Sequence, residues 1–309
     1  MRIAIAGDTG LLGRALLRRW GVAHEILGVS TGSAPTGIYL KTKPKHFTCD
    51  LLRQKQVFQK RLIKFCPEVL VNCIGLVDVG KCQTHPAAAQ RLNARLAGDL
   101  AQFARSGKIR FVHISTDQVF DGKAMRPYRE KDAPHPLNVY GMTKLDGERR
   151  VLEADPGALV IRTNIVGFRG DESRPTFAEW LSGALWNKQA ITLAEDFVTS
   201  SVHVDYFGDF VWRAIRAKIN GLVHLASRDA VSKYEFGKKL AKVMGADFSN
   251  VKKGRLEQMH LKPERPPFLA LDCSVVERRL NCRLPSSRQT IDRLAADFAS
   301  IHGADHAKK

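Results

Sequence analysis

A chain of 309 residues, 44% of them hydrophobic, can bury one large core or two modest ones. No apolar run reaches bilayer-spanning length, and no basic start with a cleavable apolar region opens the chain, so neither a membrane partner nor a leader is expected. Six scattered cysteines (Cys49, Cys66, Cys73, Cys82, Cys273, Cys282) form no CxxC pair, which argues against zinc or a disulfide framework and for reduced thiols in a cytoplasmic protein.

The formal charge of +18, from 49 Lys and Arg against 31 Asp and Glu, is diffuse. Lys41, Lys43 and Lys45 share one loop, Lys238, Lys239 and Lys242 a predicted helix, and Lys252, Lys253 and Arg255 another loop. None is interleaved with the aromatics that single-stranded nucleic acid requires. A solvated basic surface that draws in polyanionic small molecules is expected, with no nucleic-acid partner.

Met1 to Ala6 is a short apolar run that reads as a buried strand, and it leads directly into Gly7-Asp8-Thr9-Gly10-Leu11-Leu12-Gly13. Arg14 to Trp20 follows with helical periodicity. In such a strand, turn and helix, Gly7 permits the tight turn, Gly10 lets backbone approach a pyrophosphate, and Gly13 allows the helix to pack closely on the strand. A phosphate would then sit on the helix N-terminus. Strand-like and helical runs alternate onward through Glu25–Val29, His46–Asp50, Gln54–Phe65, Val69–Ile74, Pro86–Arg105, Arg110–Ser115, Val139–Leu152 and Leu159–Ile165. That alternation predicts an α/β fold with a doubly wound parallel sheet. Beyond Gly167 the pattern loosens into a polar loop (Asp171–Pro175), a helix (Phe177–Trp186), a strand (Leu222–Leu225), a helix (Tyr234–Met244) and a proline-rich loop (Pro263–Pro267). Residues 1–167, with a returning strand near 203–226, read as a dinucleotide-binding domain. Residues 168–309 read as a smaller, partly interleaved C-terminal substrate lobe.

Ligands of such sheets bind beyond the carboxyl ends of the strands. The candidates there are Gly7, Thr9, Gly10, Leu11, Leu12 and Gly13 from the glycine turn, Ser30 after the second strand, Asp50 and Leu51 after the third, Ile74, Gly75 and Leu76 after the fourth, and Ser115 after the fifth. An acid after the second strand would accept the ribose hydroxyls of NAD. Ser30-Thr31-Gly32-Ser33 stands there instead, with Arg14 just past the glycine turn and Lys41 to Lys45 further on. The missing acid and the nearby bases favour NADPH, with NADH as the alternative.

Tyr140 and Lys144 are four residues apart and share a helix face, and Thr116 precedes them at a strand end. Hydroxyl, phenol and ammonium together can deliver a proton to a carbonyl. A phenol with its ordinary pKa near 10 is a poor acid at neutral pH, and a neighbouring ammonium is expected to lower it. Thr116 is expected to bond the carbonyl oxygen and fix it against Tyr140.

Phe111-Val112-His113-Ile114-Ser115-Thr116-Asp117, Val119-Phe120-Asp121-Gly122, Pro127-Tyr128-Arg129-Glu130, Pro136-Leu137-Asn138-Val139-Tyr140-Gly141 and Lys144-Leu145-Asp146-Gly147-Glu148 together resemble the dTDP-4-dehydrorhamnose reductase family of extended short-chain dehydrogenases. The likeness continues through Asn72, Asn93-Ala94, Arg162-Thr163, Gly221–Leu225, Ser232–Phe236, Arg265-Pro266 and Leu271-Asp272. The resemblance implies a Rossmann fold and reduction by NADPH of the C4 ketone of a nucleotide-linked 4-keto-6-deoxy sugar. Tyr140 would be the acid, Lys144 would also hold the nicotinamide ribose, and Thr116, Asp117, Asn164, Thr199 and Arg265 would lie on the substrate side, Arg265 suiting a diphosphate. Gln118, Gly80, Gln83 and Asn164-Ile165 depart from the family pattern and leave the sugar open. The alternatives are an epimerase or dehydratase of the same superfamily, or a non-catalytic NADP-binding subunit resembling the regulatory subunit of methionine adenosyltransferase. The expected assembly is a monomer or homodimer.

Overall fold

The computed structural model describes residues 1–35, 45–171 and 174–306. The elements run β1 (Arg2–Ala6), α1 (Leu11–Trp20), β2 (Glu25–Ser30), β3 (Lys45–Thr48), α2 (Lys55–Phe65), β4 (Val69–Asn72), α3 (Val79–Thr84) and α4 (Pro86–Ala89). A π turn over Gln90–Arg95 leads into α5 (Leu96–Ser106), followed by β5 (Arg110–Ile114), α6 (Val139–Ala154), β6 (Leu159–Arg162), β7 (Ile165–Val166) and α7 (Phe177–Trp186). Then come β8 (Ile191–Ala194), β9 (Val198–Thr199), β10 (Val202–His203), α8 (Val204–Arg216), β11 (Gly221–His224) and β12 (Val231–Ser232). The chain closes with α9 (Lys233–Met244), β13 (Val251–Gly254), β14 (Phe268–Leu269), α10 (Ser274–Leu280) and α11 (Ser287–His306).

Seven strands form one sheet in the order β11-β6-β5-β4-β1-β2-β3, every pair parallel. All four residues of β4 and of β6 are buried, as in a sheet covered by helices on both faces. On one face Ile3 and Ile5 pack with Leu16 of α1 and Phe207 and Val211 of α8. On the other, Ala4, Leu27 and Leu70 pack with Phe58 of α2 and Leu100 of α5. This is the Rossmann arrangement the alternation predicted. Its strand order reverses between β1 and β4, which opens a crevice beyond their carboxyl ends. A third core joins Leu181 and Leu185 of α7, Leu193 of β8, Phe236 and Leu240 of α9 and Leu294 of α11. Beside it lie two-stranded pairings of β7 with β10 and β8 with β13, and a three-stranded ribbon β12-β9-β14.

The predicted elements recur with ends shifted by a residue or a few. The run Pro86–Arg105, read as one helix, contains the π turn. Of the returning strand expected near 203–226, the stretch Val204–Arg216 is helix α8. The short strands β8, β9, β12, β13 and β14 and the helices α3, α8 and α10 were not read from the pattern. Nor was α11, which is buried only along a narrow stripe that includes Ile291, Leu294 and Phe298. Lys41 and Lys43 lie outside the described residues, as do residues 172 and 173 of the polar loop.

Candidate active site

The glycine turn has the form its spacing requires. Gly7 has φ +90°, and a Cβ on it would come 2.9 Å from the Cys73 carbonyl carbon. A Cβ on Gly13 would come 2.2 Å from the Gly7 oxygen, so only a glycine there lets α1 sit against the turn. Gly10 caps α1 with no side-chain acceptor, and the first turn carries no acid. The first amides of α1 are therefore offered to an anion. That cradle, facing the crevice between β1 and β4, fits the pyrophosphate of a dinucleotide.

Asn93, inside the π turn, fixes the neighbouring loop. Its Oδ1 accepts from Leu76 N at 2.8 Å, and its Nδ2 donates to Leu76 O at 3.1 Å and to Thr143 Oγ1 at 3.0 Å. The segment Ile74–Leu76 is thereby tied to the helix that carries Tyr140. Among the other expected cofactor positions, Asp50 Oδ1 accepts from Leu52 N at 3.0 Å, Leu51 is buried, and the buried Ser30 Oγ has no partner among the described residues.

Helix α6 begins at Asn138, whose Oδ1 accepts from Gly141 N at 3.0 Å. A Cβ on Gly141 would lie 2.2 Å from the Gln118 carbonyl oxygen. This contact seats the first turn of α6 directly on the Thr116–Gln118 turn and brings Tyr140 to Thr116. Tyr140, Thr116 and Lys144 are all buried. The Lys144 ammonium donates to the Ile114 carbonyl at the end of β5 at 2.5 Å. Burial lowers Lys144 to about 8, with Glu148 pulling the other way. Ser115 Oγ donates to Glu148, whose carboxylate takes Arg162 Nη2 at 2.7 Å and Nε at 2.9 Å.

Tyr140 departs from expectation. Burial pushes its phenol well above the ordinary value; a Thr116 hydrogen bond pulls it down and the Asp117 charge pushes it further up. The expected lowering by Lys144 is not realised, because that ammonium is turned to the main chain of β5.

Four of the five expected substrate-side residues, Thr116, Asp117, Asn164 and Thr199, fall in one largely buried network. Thr116 Oγ1 donates to Asp117 Oδ1 at 3.2 Å, and Asn164 Nδ2 donates to Asp117 Oδ2 at 2.7 Å. Ser201 Oγ donates to Asn164 Oδ1 at 2.8 Å and shares a hydrogen bond of 2.9 Å with Thr199 Oγ1. The network ends at Lys233, whose Nζ donates to Thr199 Oγ1 at 3.0 Å and lies 4.5 Å from the Phe177 ring centroid and 5.3 Å from that of Phe197. Burial raises Asp117 to about 6, against the hydrogen bond from Asn164 and the Lys233 charge. Burial likewise lowers Lys233 to about 8. Lys233, at the first position of α9, and Ser201 were not named as site residues. A lysine next to a helix cap looks like surface, and only the tertiary fold turns it inward.

Lys45, Arg14 and Arg265 each have a partner within the protein. Lys45 pairs with Glu25 at 2.5 Å at the amino end of the sheet, since β3 starts there, and it does not reach the end of β2. Arg14 Nε donates to Thr9 O at 3.1 Å and braces the glycine turn. Half-buried Arg265 stands apart from the network: its Nη1 donates to Pro263 O at 2.9 Å, and burial lowers it against the Asp78 charge. Among the described residues no helix is long and apolar enough to cross a membrane, and no three His, Cys, Asp or Glu could hold a metal ion together.

A Rossmann sheet with hydroxyl, phenol and ammonium gathered beside its switch point places this chain in the class of short-chain dehydrogenases and reductases. Within that class the chain belongs to the family described as the RmlD substrate binding domain, which matches residues 1–300. It is 31% identical over 301 residues to a probable low-salt glycan biosynthesis reductase of Haloferax volcanii, covering 96% of this chain and 97% of that protein. It is 30% identical over 299 residues to methionine adenosyltransferase 2 subunit beta of Bos taurus, covering 89% and 81%. A solved dTDP-4-dehydrorhamnose reductase of Bacillus anthracis in complex with NADP shares the fold at TM-score 0.80 and 21% identity, over 96% of this chain and 99% of that one.

Proposed function

We propose that this protein reduces the C4 ketone of a nucleotide-linked 4-keto-6-deoxy sugar with NADPH. The carrying observation is Tyr140 held against Thr116 by the glycine contact at position 141, with Lys144 buried one turn along the same helix. The reductase from Haloferax volcanii and the NADP-bound neighbour support the reading.

The bound dinucleotide would supply a hydride, held by the amides at the start of α1, the Ile74–Leu76 loop and Lys144. Hydride addition leaves an alkoxide, which is a far stronger base than a phenolate. In the reducing direction Tyr140 would donate its proton to that oxygen; burial makes the phenol a weaker acid, so the basicity of the alkoxide must draw the proton across. The low exposure around Thr116, Tyr140 and Lys144 would strengthen each of these interactions.

The test is NADPH oxidation against a panel of nucleotide-linked 4-keto sugars. Turnover that depends on Tyr140 supports the reading. Tight NADPH binding without turnover, together with a copurifying protein partner, would replace it with a regulatory subunit, which the 30% identity to methionine adenosyltransferase 2 subunit beta favours as the second reading.

A further inference from the structure

A further base, beyond Arg14 and the Lys41 to Lys45 segment, lies near the end of β2. His46 of β3 lies across β2 from the glycine turn, in register with Gly28. Its Nδ1 is 2.7 Å from Asp8 Oδ2. Its Nε2 is 2.9 Å from Gly32 O and 3.2 Å from Thr48 Oγ1, a hydroxyl that itself donates to Gly32 O at 3.3 Å. Acceptors thus face both ring nitrogens, the Asp8 carboxylate at Nδ1 and the Gly32 carbonyl at Nε2. Asp8 is fully buried, and Oδ1 has no hydrogen-bond partner among the described residues. His46 is also its only ion-pair partner among them. The side chain can fold back over β2 only because residue 28 is glycine: a Cβ there would come 2.1 Å from Asp8 Oδ2.

We propose that His46 sets the cofactor preference of this chain, by neutralising Asp8 beneath the Ser30–Gly32 turn so that the turn accepts a 2′-phosphorylated dinucleotide. A carboxylate at this end of the sheet disfavours a 2′-phosphate. A buried one repels it with little screening by salt. Here the nearby carboxylate comes from the glycine turn, is turned inward, and has its charge cancelled by an imidazole that also meets the Gly32 carbonyl. The inference rests on the dinucleotide reading of the glycine turn and not on any sugar.

The test is equilibrium binding of NADPH and of NADH to the full chain by titration calorimetry. His46→Gln keeps a polar group but leaves the Asp8 charge unanswered, so the NADPH Kd is expected to rise about tenfold or more while the NADH Kd moves about threefold or less. Asp8→Asn added to His46→Gln is expected to recover NADPH binding. Equal weakening of both nucleotides, or an unchanged NADPH to NADH ratio, assigns the pair to folding of the turn and overturns the proposal. Should His46→Gln fail to fold, Asp8→Asn alone decides: a preserved or stronger NADPH preference supports the role of His46, and a weaker one ends it. A wild-type chain that binds neither nucleotide would instead defeat the dinucleotide reading itself, whereas binding without sugar turnover leaves this inference standing.

Discussion

Asp117 is a carboxyl with 1% exposure placed one residue from the hydroxyl that meets Tyr140, and its charge state is coupled to folding. Burial raises its pKa to about 6, so between the ordinary carboxylate range and pH 6 the folded state binds the proton more readily than the unfolded one. Its contribution to stability therefore falls as pH rises through that window, and the cost stays in place above it. Asp117→Asn keeps an acceptor for Asn164 without the charge. Thermal denaturation should show the variant gaining on the wild type between pH 4 and pH 7.5 by on the order of 1–3 kcal/mol; a relative loss over that range would sink the assignment. Tyr140 behaves differently, because its proton is the one transferred. Tyr140→Phe should lower turnover by about 10²–10⁴-fold while NADPH binding by calorimetry stays near the wild-type value. A loss confined to cofactor affinity would place the phenol outside the chemistry.

At the scale of elements, the site depends on two helices that touch backbone to backbone. A Cβ on Gly147 of α6 would come 2.2 Å from the Asn93 carbonyl oxygen in the π turn, so that turn and the glycine are one device. Gly147→Ala should destabilise the fold by about 1–3 kcal/mol and loosen the Leu76 loop that Asn93 pins. Gly183→Ala in α7 is the control: no atom lies within 4 Å of its Cβ, and the change should stabilise by about 0.5–1 kcal/mol. Urea melts of the two variants distinguish packing from helix propensity, and similar midpoints would refute the packing account. This level also marks where reading residues in order works and where it stops. The glycine turn, β1 and the Tyr140–Lys144 face are encoded by neighbours in the chain, and their spacing predicts them. The π turn escapes because a π and an α helix share the same residue preferences. The five hydrogen bonds joining Thr116 to Lys233 escape because their members are spread across 118 positions, from residue 116 to residue 233. His46 and Asp8 meet only because β3 lies beside β2 and Gly28 leaves room between them. The direction in which Tyr140 is shifted was misread because sequence spacing reports the nearby ammonium but not the depth of burial.

Across the whole molecule, Asp205 of α8 draws together Arg18 and Arg19 of α1 and Arg293 of α11, and His203 Nε2 meets Asp297 of α11 at 3.0 Å. These contacts fasten the last helix to α8 and β10 and, through Asp205, tie α8 to α1. The formal charge of +18 opposes that compaction through long-range repulsion. Raising ionic strength from about 0.01 M to about 0.15 M shortens the screening length from about 30 Å to about 8 Å, so the melting temperature should climb by a few degrees. A fall measured by calorimetry would mean that the ion pairs outweigh the repulsion. The position of β11 has a consequence in time. It covers the free side of β6, whose four residues are all buried, yet it lies roughly 60 residues later in the chain. At translation speeds of about 5–20 residues per second, a nascent chain carries β6 as an open apolar edge for about 3–12 s before its neighbour is made. The sheet is then exposed to pairing with other chains, and a fragment ending at Gly167 would keep that exposure permanently.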